Sequence, residues 1–579
     1  MKPAERRERA AAAAVLVAWL LAGCGGGAEG EPFDPLAVAD AAGLTLVNAE
    51  APVQPQCYTK TAGVSNPCWT CHTGFNGWNW MGDVALQASY AFSDAALVNH
   101  WENLFEDRRA AAAAIGDDEI RRYIAQDNYS PLREAMREVP DYYGWRPDLD
   151  LERGFDAEGF ARDGSWWRAF RYKPFLGTFW PTNGSSDDVI IRLPRELYTG
   201  VDGRLSRELY KINLALVELA LTQPDSVTNA EVTREVEPLD ERLAGVDLDG
   251  DGQVGAVVTR LAGAPSHYLA PSLPAGQAPA WNRWMYPRGT EFLHTVRYVD
   301  PERPGLLSVR LKELRYAIKL AVLSPAVISR QYQEDKRNKE MGRLPFFGGT
   351  ARRGLQSEFG WVFQGFIEDP QGRLRLQTYE EQYYCMGCHN SLGVTVDQTF
   401  AFARKLPGPT GWGHQRLDGI PDVPQAGQVE PETLSYFRRV GAADEFRANT
   451  EMLARYFPGG AVDEAAVRRA APGGDRDLAW LLAPSSERAM ALNKAYLAVV
   501  RSGDFRLGRD TLLAPPENVH ARIDNGDTGL AEGVGIFDDG RLWLDWSGAV
   551  LPQTARATRV LEPRLATSVA GPPAVTGPP

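Results

Sequence analysis

Along residues 289–298 polar and apolar positions alternate. Phe292, His294, Val296 and Tyr298 share one face of an extended segment, and Leu293, Thr295 and Arg297 share the other, which predicts a strand. The run DDVIIRL at 187–193 predicts a second, short strand. The spacing changes at 311–322, where Leu311, Leu314, Ile318, Ala321 and Val322 form the stripe of an amphipathic helix that must stop before Pro325. Further helices are predicted over 93–105, with Ser93 as N-cap, and over 110–125, 431–456 and 485–500, while GRLWLDW within 515–555 reads as strand. The remainder is broken by 56 Gly and 40 Pro, which predicts long ordered loops. The expected fold class is mainly α with long loops and some short strands (α+β).

The N-terminus has the pattern of an export signal. Lys2, Arg6, Arg7 and Arg9 precede an apolar run from Ala10 to Leu21, too short to span a bilayer. The run ends in Leu21-Ala22-Gly23-Cys24, which resembles the lipobox of bacterial lipoproteins. That resemblance implies cleavage before Cys24 and lipid on its thiol. Residues 1–23 are then signal peptide and 24–31 a Gly-rich tether. Removing 1–23 takes away four basic and two acidic side chains, so the formal charge of −13 becomes −13 − 4 + 2 = −15. A surface this acidic argues against nucleic acid and anionic lipid as partners and is compatible with a basic redox protein. The membrane is reached through the lipid anchor alone, on the periplasmic side or at the outer membrane.

Two five-residue words carry the chemistry. Cys68-Trp69-Thr70-Cys71-His72 and Cys385-Met386-Gly387-Cys388-His389 both read C-x-x-C-H, the attachment signature of a c-type haem. Only 7 of 579 residues are His, so a His directly after both C-x-x-C pairs is not expected by chance. A redox-active disulfide or half a zinc site would explain the cysteines but not the histidines. On these motifs the chain resembles the dihaem c-type cytochromes. The resemblance implies two covalent haem c groups, thioether-linked through Cys68, Cys71, Cys385 and Cys388, with His72 and His389 as proximal iron ligands. It also implies two cytochrome c-like haem units, at 32–135 and 370–460, separated by a mixed insert at 136–369. A helical and strand region at 461–565 and a Pro/Gly-rich, disordered tail at 566–579 follow. With Cys24 assigned to lipid and four cysteines to haem, only Cys57 remains, and no pair is left for a disulfide.

The other side of each iron decides between electron transfer and catalysis. His294, on the apolar strand face, His100 and His414 are the candidate distal ligands; His267 and His520 complete the histidines. Met81, Met136 and Met452 follow the haem words at distances open to a thioether ligand, though Met136 and Met452 fall on helical patterns that suit core packing. Cys57, eleven residues before Cys68, is a candidate thiolate ligand or a buried thiol. Trp69, Trp78, Trp80, Tyr383 and Tyr384 are placed to pack porphyrin faces, and Arg373, Arg375 and Arg404 to meet propionates. Asp247, Asp249 and Asp251, with Gly252 after them, resemble the first half of an EF-hand loop, which implies calcium. Val258 stands where the closing Glu belongs, so Glu241 or a carbonyl must complete the site. The function expected is one-electron transfer by an exported, lipid-anchored dihaem protein. The alternative is a dihaem peroxidase- or oxygenase-like enzyme with one open-faced haem.

Overall fold

The computed structural model describes residues 33–74, 76, 83–222, 233–390, 392–441, 448–530, 535–540 and 542–552. The signal segment, Cys24, the tether, Trp78, Trp80, Met81 and the 566–579 tail lie outside the described residues.

The strand-forming runs assemble one antiparallel sheet. Its strands are β1 (Arg168–Ala169), β2 (Ser186–Arg192), β3 (Glu291–Val299), β4 (Leu307–Lys319), β5 (Gly349–Thr350), β6 (Gly354–Gln356), β7 (Trp361–Glu368) and β8 (Leu374–Leu376). They pair in the order β1-β2-β3-β4-β7-β6-β5, with β8 also on β7. This corrects the expected mainly-α class: among the described residues the organising element is an eight-stranded antiparallel sheet. The strands at 187–193 and 289–298 are where the alternation puts them, as β2 and β3.

The segment at 311–322 is not a helix: residues 311–319 belong to β4, and 320–322 follow its end. Val296 pairs with Glu313 and Arg297 with Leu311, so Lys312 is an extra residue, a β-bulge in mid-strand. The bulge turns a two-residue interval into three. Leu311 and Leu314 therefore share a face with Tyr316 and Ile318, a spacing that mimics i, i+3 and i+4 of a helix.

Both faces of the sheet are covered, which is why β2 is apolar at successive positions. Ile190, Leu293, Leu314 and Phe366 face a core completed by Leu132, Met136 and Trp145. Val189, Ile191, Phe292, Ala317 and Phe363 face the opposite core, with helix α1 (Arg207–Ala220) beyond them. Met136 and Met452 are fully buried core residues. The helix expected at 485–500 is present as a single rod. The one at 431–456 is two, α2 (Glu432–Val440) and α3 (Thr450–Tyr456), with α2 stopped by Gly441 in the left-handed region. Helix α4 spans Ser486–Ser502, N-capped by Ser485. Residues 93–105 form two short 3₁₀ turns, and the described residues of GRLWLDW belong to no strand of the sheet, with Leu542 and Trp543 buried.

Buried charge ties α2 to the sheet side. The Arg404 guanidinium bonds both Glu432 oxygens at 2.9 and 2.6 Å, and Lys173 pairs with Glu432 and with Asp422. Burial works against the Glu432 charge, but Arg404 and Lys173 hold its carboxyl at about 2. Removing one partner strands a buried charge. Glu432→Gln should lower stability by about 3–5 kcal/mol in urea unfolding. Because the folded carboxyl titrates below its ordinary 4.5, the wild type should keep this contribution above that pH and lose it as pH falls toward about 2. Glu432→Gln should flatten that acid limb.

Candidate cofactor cavity

Each C-x-x-C-H word folds into the same hydrogen-bonded turn. In the first, the amides of Cys71 and His72 both donate to Cys68 O, at 3.2 and 2.9 Å; in the second, those of Cys388 and His389 donate to Cys385 O, at 3.2 and 3.1 Å. The first turn starts from Asn66, whose side chain accepts from Trp69 N. The second follows a short helix with a Thr378–Glu381 capping box. The turn brings two sulfurs and one imidazole to one side of the backbone in both places. None of the five described cysteines forms a disulfide.

Although 317 residues apart in sequence, both words line one cavity of about 720 Å³. Their loops interlock. Gly387 has no room for a Cβ, which would strike the Pro52 carbonyl oxygen, and Gln54 donates to Tyr384 O at 2.8 Å. The loop after the second word meets the loop after the first: Asn76 donates to Gly393 O at 2.9 Å.

Both imidazoles have Nδ1 committed. His389 donates from Nδ1 to the Gln398 carbonyl at 2.8 Å, which fixes its tautomer, and burial pushes its pKa down to about 4, so the ring is neutral. His72 Nδ1 lies 2.8 Å from Asp83 Oδ2, and the same oxygen accepts from Gly393 N at 3.3 Å. Burial opposes charge on His72, but Asp83 and the neighbouring Cys57 thiol raise it to about 9. In His389 Nε2 is the nitrogen left for a metal, the arrangement in which metal-binding histidines are held by a second hydrogen bond, whereas the His72 ring is also hydrogen-bonded by Cys57. Burial raises the Cys388 thiol to about 12 and raises Cys385 as well.

Aromatic rings form part of the wall, beside polar and charged side chains. Phe363 and Phe400 flank His389, with ring centroids at 4.6 and 5.6 Å, and Phe175, Phe179, Tyr90 and Tyr384 line the rest. Each word presents two thiols and one imidazole to this chamber. Trp69 instead packs in a separate core against Phe537, and Tyr383 is buried behind the wall.

His294 lines the cavity. Its Nε2 lies 2.8 Å from Asp187 Oδ2, which also accepts from the Tyr172 hydroxyl at 2.5 Å. His414 is on the other side of β2, where Nε2 pairs with Asp188 at 3.0 Å; successive strand residues face opposite ways, so Asp187 and Asp188 part the two histidines. His100 contacts Ala95 O and His267 contacts Ser266; neither lines the cavity, nor does His520. Cys57 does. Arg373, Arg375 and Arg404 are paired with Asp369, Glu381 and Glu432 respectively. The cavity's own cations are Lys312, Arg315, Arg343, Arg488 and Arg509.

Asp247 and Asp249 converge with Glu241, the only such group among the described residues. Asp247 caps the amides of Gly250 and Gly252, and Glu241 those of Leu248 and Gly255. Asp251 turns instead to Gln253 N.

A lipoprotein family matches residues 42–453, more than two thirds of the sequence, and the chain belongs to it. It is therefore a lipid-anchored protein of the cell envelope. A relative from Aquifex aeolicus (strain VF5), described as an uncharacterized lipoprotein, is 29% identical over 562 residues, covering 86% of this chain and 91% of its own. No solved structure matches. The resemblance to the dihaem c-type cytochromes is corrected by this: the family is one of lipoproteins, with no cytochrome family match, and the fold is built on a sheet. Five-residue words fix only a local turn, which any fold can carry. No helix among the described residues is long and apolar enough to cross a membrane.

Sequence reasoning missed Asp83, Gln398, Tyr172, Asp187 and the cavity cations. The adjacent acids at the head of DDVIIRL were the one available signal, since a strand seldom opens on two carboxylates that both become buried.

Proposed function

We propose that this lipoprotein holds two covalent haem groups side by side in one cavity and passes single electrons between redox partners of the cell envelope. The observation that carries this is the convergence of two identically folded C-x-x-C-H turns on one chamber. Haem, when bound, supplies a one-electron iron couple. The chain's part is to attach, orient and tune. Cys68, Cys71, Cys385 and Cys388 form the thioethers, and Nε2 of His72 and His389 bind iron. The aromatic wall keeps water from the porphyrin faces. Cys24 carries the lipid, placing the domain at the periplasmic side or the outer membrane, and the acidic surface favours a basic redox partner over nucleic acid.

The two sites are electrostatically unequal. His72 leans on a carboxylate and His389 on a neutral carbonyl. An anionic acceptor makes the imidazole a stronger donor to iron and favours the oxidised state. With haem bound at both words, Asp83 would lower the potential at His72 relative to that at His389, whose partner is neutral.

A second reading, reduction of a small oxidant such as peroxide or oxygen at an open-faced haem, is favoured by one observation. His294 faces the cavity with its Nε2 already held by Asp187, beside Tyr172, an acid–base array rather than a free ligand.

Denatured, lipid-stripped protein should show a mass two haem increments above the polypeptide, and Cys385→Ala/Cys388→Ala should remove one; an unmodified mass overturns the proposal. Asp83→Asn should raise one midpoint potential by on the order of tens of mV and leave the other in place, read by spectroelectrochemistry. Two low-spin ferric haems, one turning high-spin in His294→Ala, would make His294 a ligand and favour electron transfer. A high-spin wild-type haem that shifts on adding peroxide or cyanide would favour the second reading.

A further inference from the structure

The bulge in β4 has a chemical product. By inserting one residue it turns Lys312 onto the same wall as Glu313 and Arg315, so three charged side chains within four residues of a buried strand reach the cavity. Lys312 is 1% exposed and has no carboxylate within ion-pair distance among the described residues. Its ammonium donates to Gly184 O at 2.7 Å, Ser185 Oγ at 3.0 Å and Thr511 Oγ1 at 3.2 Å, and lies over the Tyr496 ring at 4.0 Å. A buried cation held by neutral groups alone is costly unless something anionic completes it. Burial accordingly pulls its pKa to about 7, against the more distant pull of Glu368 and Glu313.

The hydroxyls matter as much as the charge. Ser185 and Thr511 each accept from Lys312, so their own protons must point away from it, and both residues line the cavity. Arg488 stands on the same 182–185 turn, donating from Nε to Thr182 O at 3.1 Å, and burial lowers its pKa to about 10. The nearest acid it feels, Glu451, is engaged by Ser485. Around this wall Lys312, Arg315, Arg488 and Arg509 face Glu313, Asp510 and Asp187; Glu313 is already shared by Arg315 and Arg509, and Asp187 by His294 and Tyr172.

We propose that this wall is a subsite for a carboxylate group, received by the Ser185 and Thr511 hydroxyls and the Arg488 guanidinium over the buried charge of Lys312. Two donors oriented by a cation, with a guanidinium beside them, match the two oxygens of a carboxylate. The carboxylate is either a propionate of a tetrapyrrole in the cavity, in which form the inference rests on the two-haem reading, or that of a free organic acid, in which form it does not.

The test uses the full-length protein and the variants Arg488→Gln and Lys312→Met. A carboxylate belonging to the cofactor predicts that either variant shifts the propionate bending band in resonance Raman and one midpoint potential, with the covalent haem mass unchanged. A free carboxylate predicts that succinate raises the wild-type melting temperature and binds Arg488→Gln weaker by on the order of tenfold. If Arg488→Gln moves neither the Raman band, nor the potential, nor succinate binding, the subsite is overturned. Arg488 is only half-buried, so its variant carries the test should Lys312→Met fail to fold. A missing porphyrin mass would count against the two-haem reading alone and leave the succinate measurement decisive.

Discussion

One carboxylate joins the two halves of the cavity. Asp83 bonds the His72 ring and, with the same oxygen, the backbone of Gly393, four residues past His389. Through it the orientation of one imidazole and the docking of the other word's loop become a single condition. Asn76 to Gly393 O and the tight fit of Gly387 against Pro52 reinforce the joint from either side. Glycine is required at 387 because the backbones approach too closely for any side chain. The cavity exists because these loops meet; the sheet supplies its floor, and the aromatic residues its sides.

The sheet does more than support. A regular β4 would send alternate residues to opposite faces and could give the cavity only every second side chain. The bulge at Lys312 breaks that rule once, at the cost of a ladder irregularity, and sets a lysine next to Glu313 and Arg315 on the cavity side. In β2 the opposite holds. Strict alternation separates Asp187 from Asp188, so His294 is tied to the cavity and His414 to the far face.

What could be read from the sequence was whatever depends on few neighbouring residues. The C-x-x-C-H words, the alternation of β3 and the apolar run of β2 are local patterns, and the structure has the strands where the patterns lie. The 311–322 segment misled for a physical reason. A bulge inserts one residue into a period of two, and over a dozen residues the result has helical spacing. The helix expected at 93–105 failed because the chain there folds as two separate 3₁₀ turns around an extended stretch. Asp83, Gln398 and the pairings of Arg375 and Arg404 were not legible, since each is defined by a partner that only the tertiary fold brings near. The three arginines expected to meet propionates were plausible by charge alone, and charge alone does not reveal that an acid already occupies them.

The cavity draws its wall from Glu50 in the first tenth of the chain to Thr511 in the last quarter. Contacts of such high contact order form late, because the loops they close are long and their entropy must be lost before any packing is gained. Until residue 511 is in place the chamber has no finished wall. Anything bulky destined for its interior is therefore most easily received by a chain still half assembled. Maturation of this protein becomes a matter of timing as much as of affinity.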